Sequence, residues 1–195
     1  MASPVELRGR RVAVVGLGKS GLAVARFCAE RGAQVVGCDD RDEAALASAL
    51  LPLQGDLAAG RLQLALGELR PEPLVAADLI VLSPGVPPSR APIVAAQAAG
   101  VSITGEIELA SRFIAAPIVG ITGTNGKSTV TNLCGAIAEA SGRPSFCGGN
   151  LGTPLCTAID TAAATAAGIV VVELSSYQLE TAQTLTCTAA TVLNL

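Results

Sequence analysis

The stretch Val12-Ala-Val-Val-Gly-Leu-Gly-Lys-Ser-Gly21 decides the fold of the first part of the chain. Four consecutive apolar residues are typical of a buried parallel strand, and the three glycines that follow form a GxGxxG loop. Residues 22–31 then carry apolar side chains at helical spacing, and Gly32 is the usual residue at the end of such a helix. A strand, a glycine loop and a helix in this order predict an α/β unit with a parallel sheet.

The GxGxxG loop predicts a ligand that contains a diphosphate. Glycines let the backbone approach such a group closely, and the N-terminus of the helix offers unpaired N–H donors. Asp39 follows the next predicted strand, residues 34–38, where the ribose or base of a nucleotide would be read. A dinucleotide and a nucleotide-sugar both satisfy this pattern, and so does a tight turn that binds nothing.

A second glycine-rich loop, Gly120-Ile-Thr-Gly-Thr-Asn-Gly-Lys-Ser128, joins a predicted strand over 117–122 to a predicted helix over 129–141. It departs by one place from the GxxxxGK[ST] pattern, because Ile121 stands where the first glycine belongs. The backbone N–H groups would still cradle phosphates, Lys127 would reach the β and γ oxygens, and Ser128 would bind Mg²⁺. We therefore expect a triphosphate site here.

Three further segments carry candidate binding residues. Glu173 follows a predicted buried strand over 168–172, where a carboxylate is placed to be a second Mg²⁺ ligand or to favour the start of a helix. Gly148-Gly-Asn-Leu-Gly152 and Ser83-Pro-Gly85 have the composition of loops that lie against a ligand, although plain turns use the same residues.

Composition excludes several classes of protein. The 195 residues include 13 Lys and Arg and 16 Asp and Glu, a net charge of −3 with no basic stripe, which argues against a nucleic-acid binder. The sequence contains no run of about 18 apolar residues, so it predicts no membrane-spanning helix. Met1-Ala-Ser-Pro-Val-Glu-Leu-Arg8 has no signal-peptide pattern. Six scattered cysteines and the absence of histidine argue against zinc and disulfides and favour a reducing cytoplasm.

The order of the segments predicts an α/β fold with two domains. We expect a Rossmann-like domain with a parallel sheet over residues 1–114 and a P-loop-type ATP-binding α/β domain over 115–195. In the second domain, residues 153–167 are predicted to be mostly helical and residues 188–194 to form a strand. Because this strand pattern runs to the end of the sequence, we expect the second domain to be truncated.

The segment Thr122-Gly-Thr-Asn-Gly-Lys-Ser-Thr129 resembles the ATP loop shared by the Mur ligases and the folylpolyglutamate synthetases, whose glycine spacing also differs by one place. Together with the N-terminal GxGxxG domain, the segments 83–85, 148–152 and Glu173-Leu-Ser-Ser-Tyr-Gln-Leu-Glu180 are similar to the Mur ligases. Asn125 favours the branch that adds D-glutamate, because a neighbouring branch carries His there. The resemblance covers essentially the whole chain.

The resemblance implies a set of site residues. Lys127 and Glu173 would be catalytic, and Ser128 and Glu173 would bind Mg²⁺. The diphosphate of a UDP-substrate would contact Gly18, Lys19 and Ser20, and its uracil would lie between Asp39 and Arg41. The remainder of that substrate would meet Ser83, Gly85, Asn150 and Ser175. The ATP-binding residues would be Gly123, Thr124, Asn125, Gly126, Lys127, Ser128 and Thr129.

The resemblance also implies a reaction in peptidoglycan precursor synthesis. ATP would phosphorylate the carboxylate of UDP-N-acetylmuramoyl-L-alanine, and the amine of D-glutamate would attack the acyl phosphate to form an amide, in a monomeric cytoplasmic ligase. Members of the family continue past a strand like residues 191–194 into a segment with His and Asp, a carbamylated lysine and a D-glutamate-binding domain. We therefore expect this chain by itself to be inactive as a ligase.

Two other functions fit parts of the sequence. An NAD(P)-dependent oxidoreductase could use the first glycine loop, but it leaves Lys127 and Glu173 without a role. A non-catalytic nucleotide-binding protein would use both loops and would not depend on Lys127 for activity.

Overall fold

The computed structural model describes residues 5–150 and 152–195. Met1–Pro4, the start of the segment that lacks a signal-peptide pattern, and Leu151, within the 148–152 loop, lie outside the described residues. The chain forms two compact units, residues 5–106 and residues 107–195. The domain division expected between residues 114 and 115 stays a prediction.

The first unit is a five-stranded parallel sheet in the order β3-β2-β1-β4-β5. Its strands are β1 (Arg11–Val15), β2 (Gln34–Asp39), β3 (Leu62–Leu66), β4 (Leu79–Leu82) and β5 (Ser102–Gly105). Its helices are α1 (Lys19–Glu30), α2 (Glu43–Leu50), α3 (Gln54–Ala58), α4 (Pro71–Val75) and α5 (Ala91–Ala98). The strand order reverses between β1 and β4, so the loops after these two strands border the crevice where ligands of such sheets bind.

The apolar run that predicted β1 lies at the centre of this sheet. Residues 12–15 are at most 2% exposed, because β1 is covered on both edges by β2 and β4 and on both faces by helices. One face packs α4 and α5 against the sheet through a cluster of buried side chains that includes Ala13, Ile80, Leu74 and Ile93. The buried strands therefore hold the glycine loop on a rigid support.

The second unit is a four-stranded parallel sheet in the order β7-β8-β6-β9. Its strands are β6 (Ile118–Thr122), β7 (Ser145–Gly149), β8 (Ile169–Glu173) and β9 (Ala189–Val192), and its helices include α7 (Lys127–Ala140) and α8 (Ser176–Glu180). A short helix, α6 (Glu106–Ser111), contains the position along the sequence at which the first unit ends and the second begins. The parallel α/β fold expected from the sequence is thus confirmed.

The prediction of a mostly helical segment over residues 153–167 is wrong. Only two short 3₁₀ turns occur there, Leu155–Ala158 and Ala162–Ala164. Thr157, Thr161 and Thr165 each bond the carbonyl three residues earlier through both the hydroxyl and the N–H, which replaces α-helical bonding by 3₁₀ bonding. The carbonyl of Ala164 accepts the N–H groups of residues 115 and 116, so this carbonyl is bonded to a neighbouring segment and not to the next turn of a helix.

Two helices begin earlier than predicted, and this changes where the lysines lie. The helix expected from residue 22 begins at Lys19, and the helix expected from residue 129 begins at Lys127. Each lysine is therefore the first residue of a helix. The strand expected over 188–194 is the shorter β9, an exposed edge strand. Within the described part of the chain, none of the helices has the length and apolar character needed to cross a bilayer.

Candidate active site

The GxGxxG loop joins β1 to α1, and close packing fixes its path. Gly16 has φ +87°, a conformation that favours glycine. A Cβ on Gly21 would lie 1.8 Å from the carbonyl oxygen of Gly16, so the helix and the loop pack too closely for any side chain. The hydroxyl of Ser83, after β4, donates to the same carbonyl oxygen at 2.6 Å. Around Gly18, by contrast, an added Cβ would meet none of the described atoms within 4 Å.

The start of α1 offers a place for an anion. Gly18 is its N-cap in extended conformation, no side chain caps the helix, and its first turn contains no acidic residue. Lys19 is exposed and Ser20 is half-buried in that first turn. Free N–H groups, the positive end of the helix and an ammonium group together suit a diphosphate. The contacts predicted for these three residues remain predictions that this geometry supports.

Asp39 ends β2 and fastens the glycine loop. Its Oδ2 accepts the N–H of Leu17 at 2.6 Å, and the guanidinium of Arg41 donates to both carboxylate oxygens at 2.8 Å. Arg41 also donates to the carbonyl oxygen of Leu17 at 3.2 Å. The hydrogen bonds from Arg41 hold the pKa of Asp39 at about 2. The pair expected beside a uracil is therefore an ion pair that also shapes the loop, and its contact with a base stays a prediction.

The loop after β4 lies at the same edge of the sheet. Gly85 follows Ser83 with φ +88°, which a glycine adopts without strain. Arg90, at the start of α5, donates to both oxygens of Asp40 at 2.7 and 2.8 Å and ties this loop to the end of β2. The ends of β1, β2 and β4 are thus held together, as a crevice at the strand-order reversal requires.

The second glycine-rich loop joins β6 to α7. Gly126 is the N-cap of α7 with φ +81°, and Gly123 has φ +136° with a Cβ position only 3.1 Å from the backbone nitrogen of Leu193. The Nζ of Lys127 donates to the carbonyl oxygens of Gly123 at 2.7 Å and Thr124 at 3.0 Å, so the ammonium lies over the loop. The first turn of α7 has no capping side chain and no acidic residue, which leaves its N–H groups for an anion.

Three residues from separate segments meet beside this loop. Glu173, at the end of β8, is 2% exposed and accepts the hydroxyl of Ser128 on Oε2 at 2.7 Å and the amide of Asn150 on Oε1 at 2.6 Å. The N–H of Asn150 also donates to the carbonyl oxygen of Glu173 at 2.9 Å. Gly149 has φ +92° and would place a Cβ 2.5 Å from that oxygen, so glycine is required there. The loop after β7 is therefore pressed against the carboxylate.

This arrangement fits a magnesium ion that is bound together with phosphate. Mg²⁺ is usually held by one or two carboxylates, a hydroxyl and the phosphate oxygens of a substrate. Glu173 and Ser128 supply that donor set, with the ammonium of Lys127 on the same helix turn. Across residues 5–150 and 152–195, no group of three or more His, Cys, Asp or Glu gathers as a self-sufficient metal site.

Ser175 is engaged in the capping of α8. Its hydroxyl accepts the N–H of Gln178, whose side-chain oxygen accepts the N–H of Ser175 at 2.9 Å. Its expected contact with a substrate stays a prediction, as does that of Thr129 with ATP.

Tyr177, which the sequence did not single out, is 61% exposed in α8.

Two other residues were missed by sequence reasoning. Asn194, just past β9, bonds the phosphate loop through its side chain. Its polar character near the end of a predicted strand was a local signal, but its contact with the loop depends on β9 lying beside β6. Glu108, in α6, is buried and accepts the N–H groups of Gln183, Thr184 and Leu185 at 2.9 Å each. No local pattern indicates that role, because the partners lie more than 70 residues away.

Each of the two glycine loops joins a strand of a parallel sheet to the start of a helix. Residues 10–105 match the family described as Mur ligase MurD-like, N-terminal domain, and residues 121–195 match the Mur ligase middle domain. The chain therefore belongs to the Mur ligase family. Within that family its first unit is of the MurD-like type.

Curated relatives agree with this placement. The chain is 50% identical over 196 residues to a UDP-N-acetylmuramoylalanine-D-glutamate ligase of Anaeromyxobacter dehalogenans, and the match covers 100% of this chain and 40% of that protein. It is 46% identical over 192 residues to the ligase of the same name of Desulfosudis oleivorans, and this match covers 98% of this chain and 40% of that protein. The chain thus spans about 40% of the length of these relatives.

A solved structure with a related fold is the UDP-N-acetylmuramate:L-alanyl-gamma-D-glutamyl-meso-diaminopimelate ligase from Neisseria meningitides. The TM-score is 0.56 at 18% sequence identity, over 95% of this chain and 60% of that one. At this identity the likeness concerns the fold alone.

Proposed function

We propose that this chain supplies two substrate sites of an ATP-dependent ligase that joins D-glutamate to UDP-N-acetylmuramoyl-L-alanine. The observation that carries the proposal is the meeting of Ser128 and Asn150 on the buried carboxylate of Glu173, beside Lys127. The names of the relatives support the substrates. The first glycine loop would bind the UDP part, with the protein a cytoplasmic monomer.

The residues of the second unit would position the phosphates of ATP. Lys127 and the N–H groups at the start of α7 would hold the transferred phosphoryl group, since such reactions depend on positioning and charge neutralisation. Bound Mg²⁺ would neutralise phosphate charge between Ser128 and Glu173. Asn150 would hold the Glu173 carboxylate in place and approach the muramoyl-alanine part of the other substrate. The carboxylate of that substrate would accept the phosphoryl group, and the D-glutamate amine would then displace phosphate.

The chain spans about 40% of the length of the curated relatives, so the reaction is proposed for a protein that includes the remaining part. A chimera tests the proposal: residues 1–195 replace the matching part of the Anaeromyxobacter relative, and phosphate release is measured. We expect release that requires both D-glutamate and UDP-N-acetylmuramoyl-L-alanine and that is abolished by Lys127→Ala. A folded chimera that hydrolyses ATP without regard to either substrate would contradict it.

A further inference from the structure

We propose that Asn194 is a positioning residue that clamps the phosphate loop. This inference rests on the proposed function and extends it to a residue on the strand next to the loop. Asn194 lies two residues past β9, the strand that pairs with β6 on the side opposite Glu173 and β8.

The side chain of Asn194 makes three hydrogen bonds to two adjacent residues of the loop. Its Oδ1 accepts the N–H of Thr124 at 3.0 Å and the N–H of Asn125 at 2.9 Å. Its Nδ2 donates to the carbonyl oxygen of Asn125 at 3.1 Å. A single side-chain amide thus satisfies two donors and one acceptor of the same loop, because it carries an acceptor oxygen and a donor nitrogen.

The backbone around Asn194 reinforces this clamp. The N–H of Thr124 also donates to the carbonyl oxygen of Asn194 at 3.3 Å, and the N–H of Leu193 donates to the carbonyl oxygen of Thr122 at 2.9 Å. A Cβ on Gly123 would lie 3.1 to 3.2 Å from backbone atoms of residues 193 and 194. The absence of a side chain at Gly123 therefore permits the close approach that the clamp needs.

The clamp explains how an exposed loop keeps one shape. Thr124, Asn125 and Gly126 are exposed, and Gly123 and Gly126 have positive φ, so chain entropy favours many conformations. Bonds to the end of a strand remove that freedom before the ligand arrives, which lowers the cost of ordering the loop on binding. Loss of the clamp should therefore weaken phosphate binding without unfolding the sheet.

Amide hydrogen exchange of the 195-residue chain, followed by NMR, tests the clamp directly. We expect the N–H groups of Thr124 and Asn125 to be protected in the unaltered chain. In Asn194→Ala they should exchange about tenfold faster, and in Asn194→Asp, which keeps the acceptor oxygen, they should stay protected. Asn132→Ala, an exposed asparagine of α7, should leave both rates unchanged. Unprotected amides in the unaltered chain, or equal rates in Asn194→Ala, would overturn the proposal.

A titration with inorganic triphosphate and Mg²⁺ supplies the functional readout. Asn194→Ala should bind the probe about tenfold more weakly than the unaltered chain, with the melting temperature of the second unit nearly unchanged. Equal affinity in the two proteins would overturn the clamp. If the unaltered chain binds no triphosphate while its Thr124 and Asn125 amides are protected and released by Asn194→Ala, the clamp stands and the proposed function fails.

Discussion

The hydroxyl of Ser128 donates to Oε2 of Glu173 at 2.7 Å, although the two residues are 45 positions apart. The contact joins the first turn of α7 to the end of β8, and β6 and β8 are neighbours with Ile121 paired to Glu173. Because the strands are parallel, their carboxyl ends lie at one edge, and the loop after β6 necessarily faces the residue that ends β8. The topology of the sheet thus creates the pair of oxygens on which magnesium binding would depend.

The first prediction concerns that pair. Glu173→Gln should weaken binding of inorganic triphosphate by about tenfold in the presence of Mg²⁺ and leave binding nearly unchanged in EDTA, because the lost charge acts through the metal. Calorimetry under both conditions measures the difference. Glu180→Gln, an exposed residue at the end of α8, is the matched control and should bind as the unaltered chain does. A similar loss with and without metal would show that Glu173 acts on the fold and not on Mg²⁺.

The second prediction concerns the two lysines of the sequence, Lys19 and Lys127. Each is the first residue of the helix that follows a glycine loop, so each should serve one nucleotide. Lys127→Ala should weaken triphosphate binding by about tenfold and leave UDP binding intact, whereas Lys19→Ala should do the reverse. Each variant is the control for the other. Loss of both ligands in either variant would contradict the assignment of separate sites.

The third prediction concerns the stability of the second unit. The side chain of Glu108 is 1% exposed and receives hydrogen bonds from three backbone N–H groups, the hydroxyl of Thr184 and the guanidinium of Arg112. Glu108→Gln replaces an acceptor oxygen by an NH₂ group that faces donors. We expect a decrease of about 3 kcal/mol in the free energy of unfolding, measured with urea. The exposed Glu139→Gln of α7 should change it by less than about 0.5 kcal/mol.

The fourth prediction is the acid sensitivity of the same contact. Burial raises the pKa of Glu108, but the hydrogen bonds from Thr184, Arg112 and Gln183 outweigh it and lower the pKa from 4.5 to about 2. A carboxyl with a depressed pKa stabilises the fold fully above its unfolded pKa, and loses that contribution as the pH falls toward the folded value. The difference in unfolding free energy between the unaltered chain and Glu108→Gln should therefore shrink between about pH 4.5 and 2. A constant difference over that range would contradict it.

Local patterns predicted most of the fold because the strands are short apolar runs that end at glycines or acids. The buried residues 12–15 and Glu173 at the end of β8 were found in this way. The prediction of a helix over residues 153–167 was wrong because it relied on the alanine-rich composition, which favours a helix. The spacing of the threonines and the hydrogen bonds to residues 115 and 116 favour turns instead. Tertiary partners overrode the local preference.

The site divides along the same line. Candidate residues within a glycine loop could be named from the sequence, since the loop itself carries the phosphate chemistry, and their contacts with ligands stay predictions. The hydrogen bond between Asn150 and Glu173 could not be predicted, because it depends on β7 and β8 being neighbours. Asn194 was missed for the same reason, since its role depends on β9 lying beside β6. Side chains that act across strands need the strand order, which one sequence does not state.

The most direct test of the central claim is a calorimetric titration of the chain with UDP, with inorganic triphosphate and Mg²⁺, and with NADH. The claim is that the two glycine loops form separate sites, one for a uridine diphosphate and one for a triphosphate. We predict that UDP and triphosphate bind together without competition, each with its own lysine dependence, and that UDP binds more tightly than NADH. Tighter binding of NADH than of UDP, or mutual displacement of UDP and triphosphate, would contradict the account.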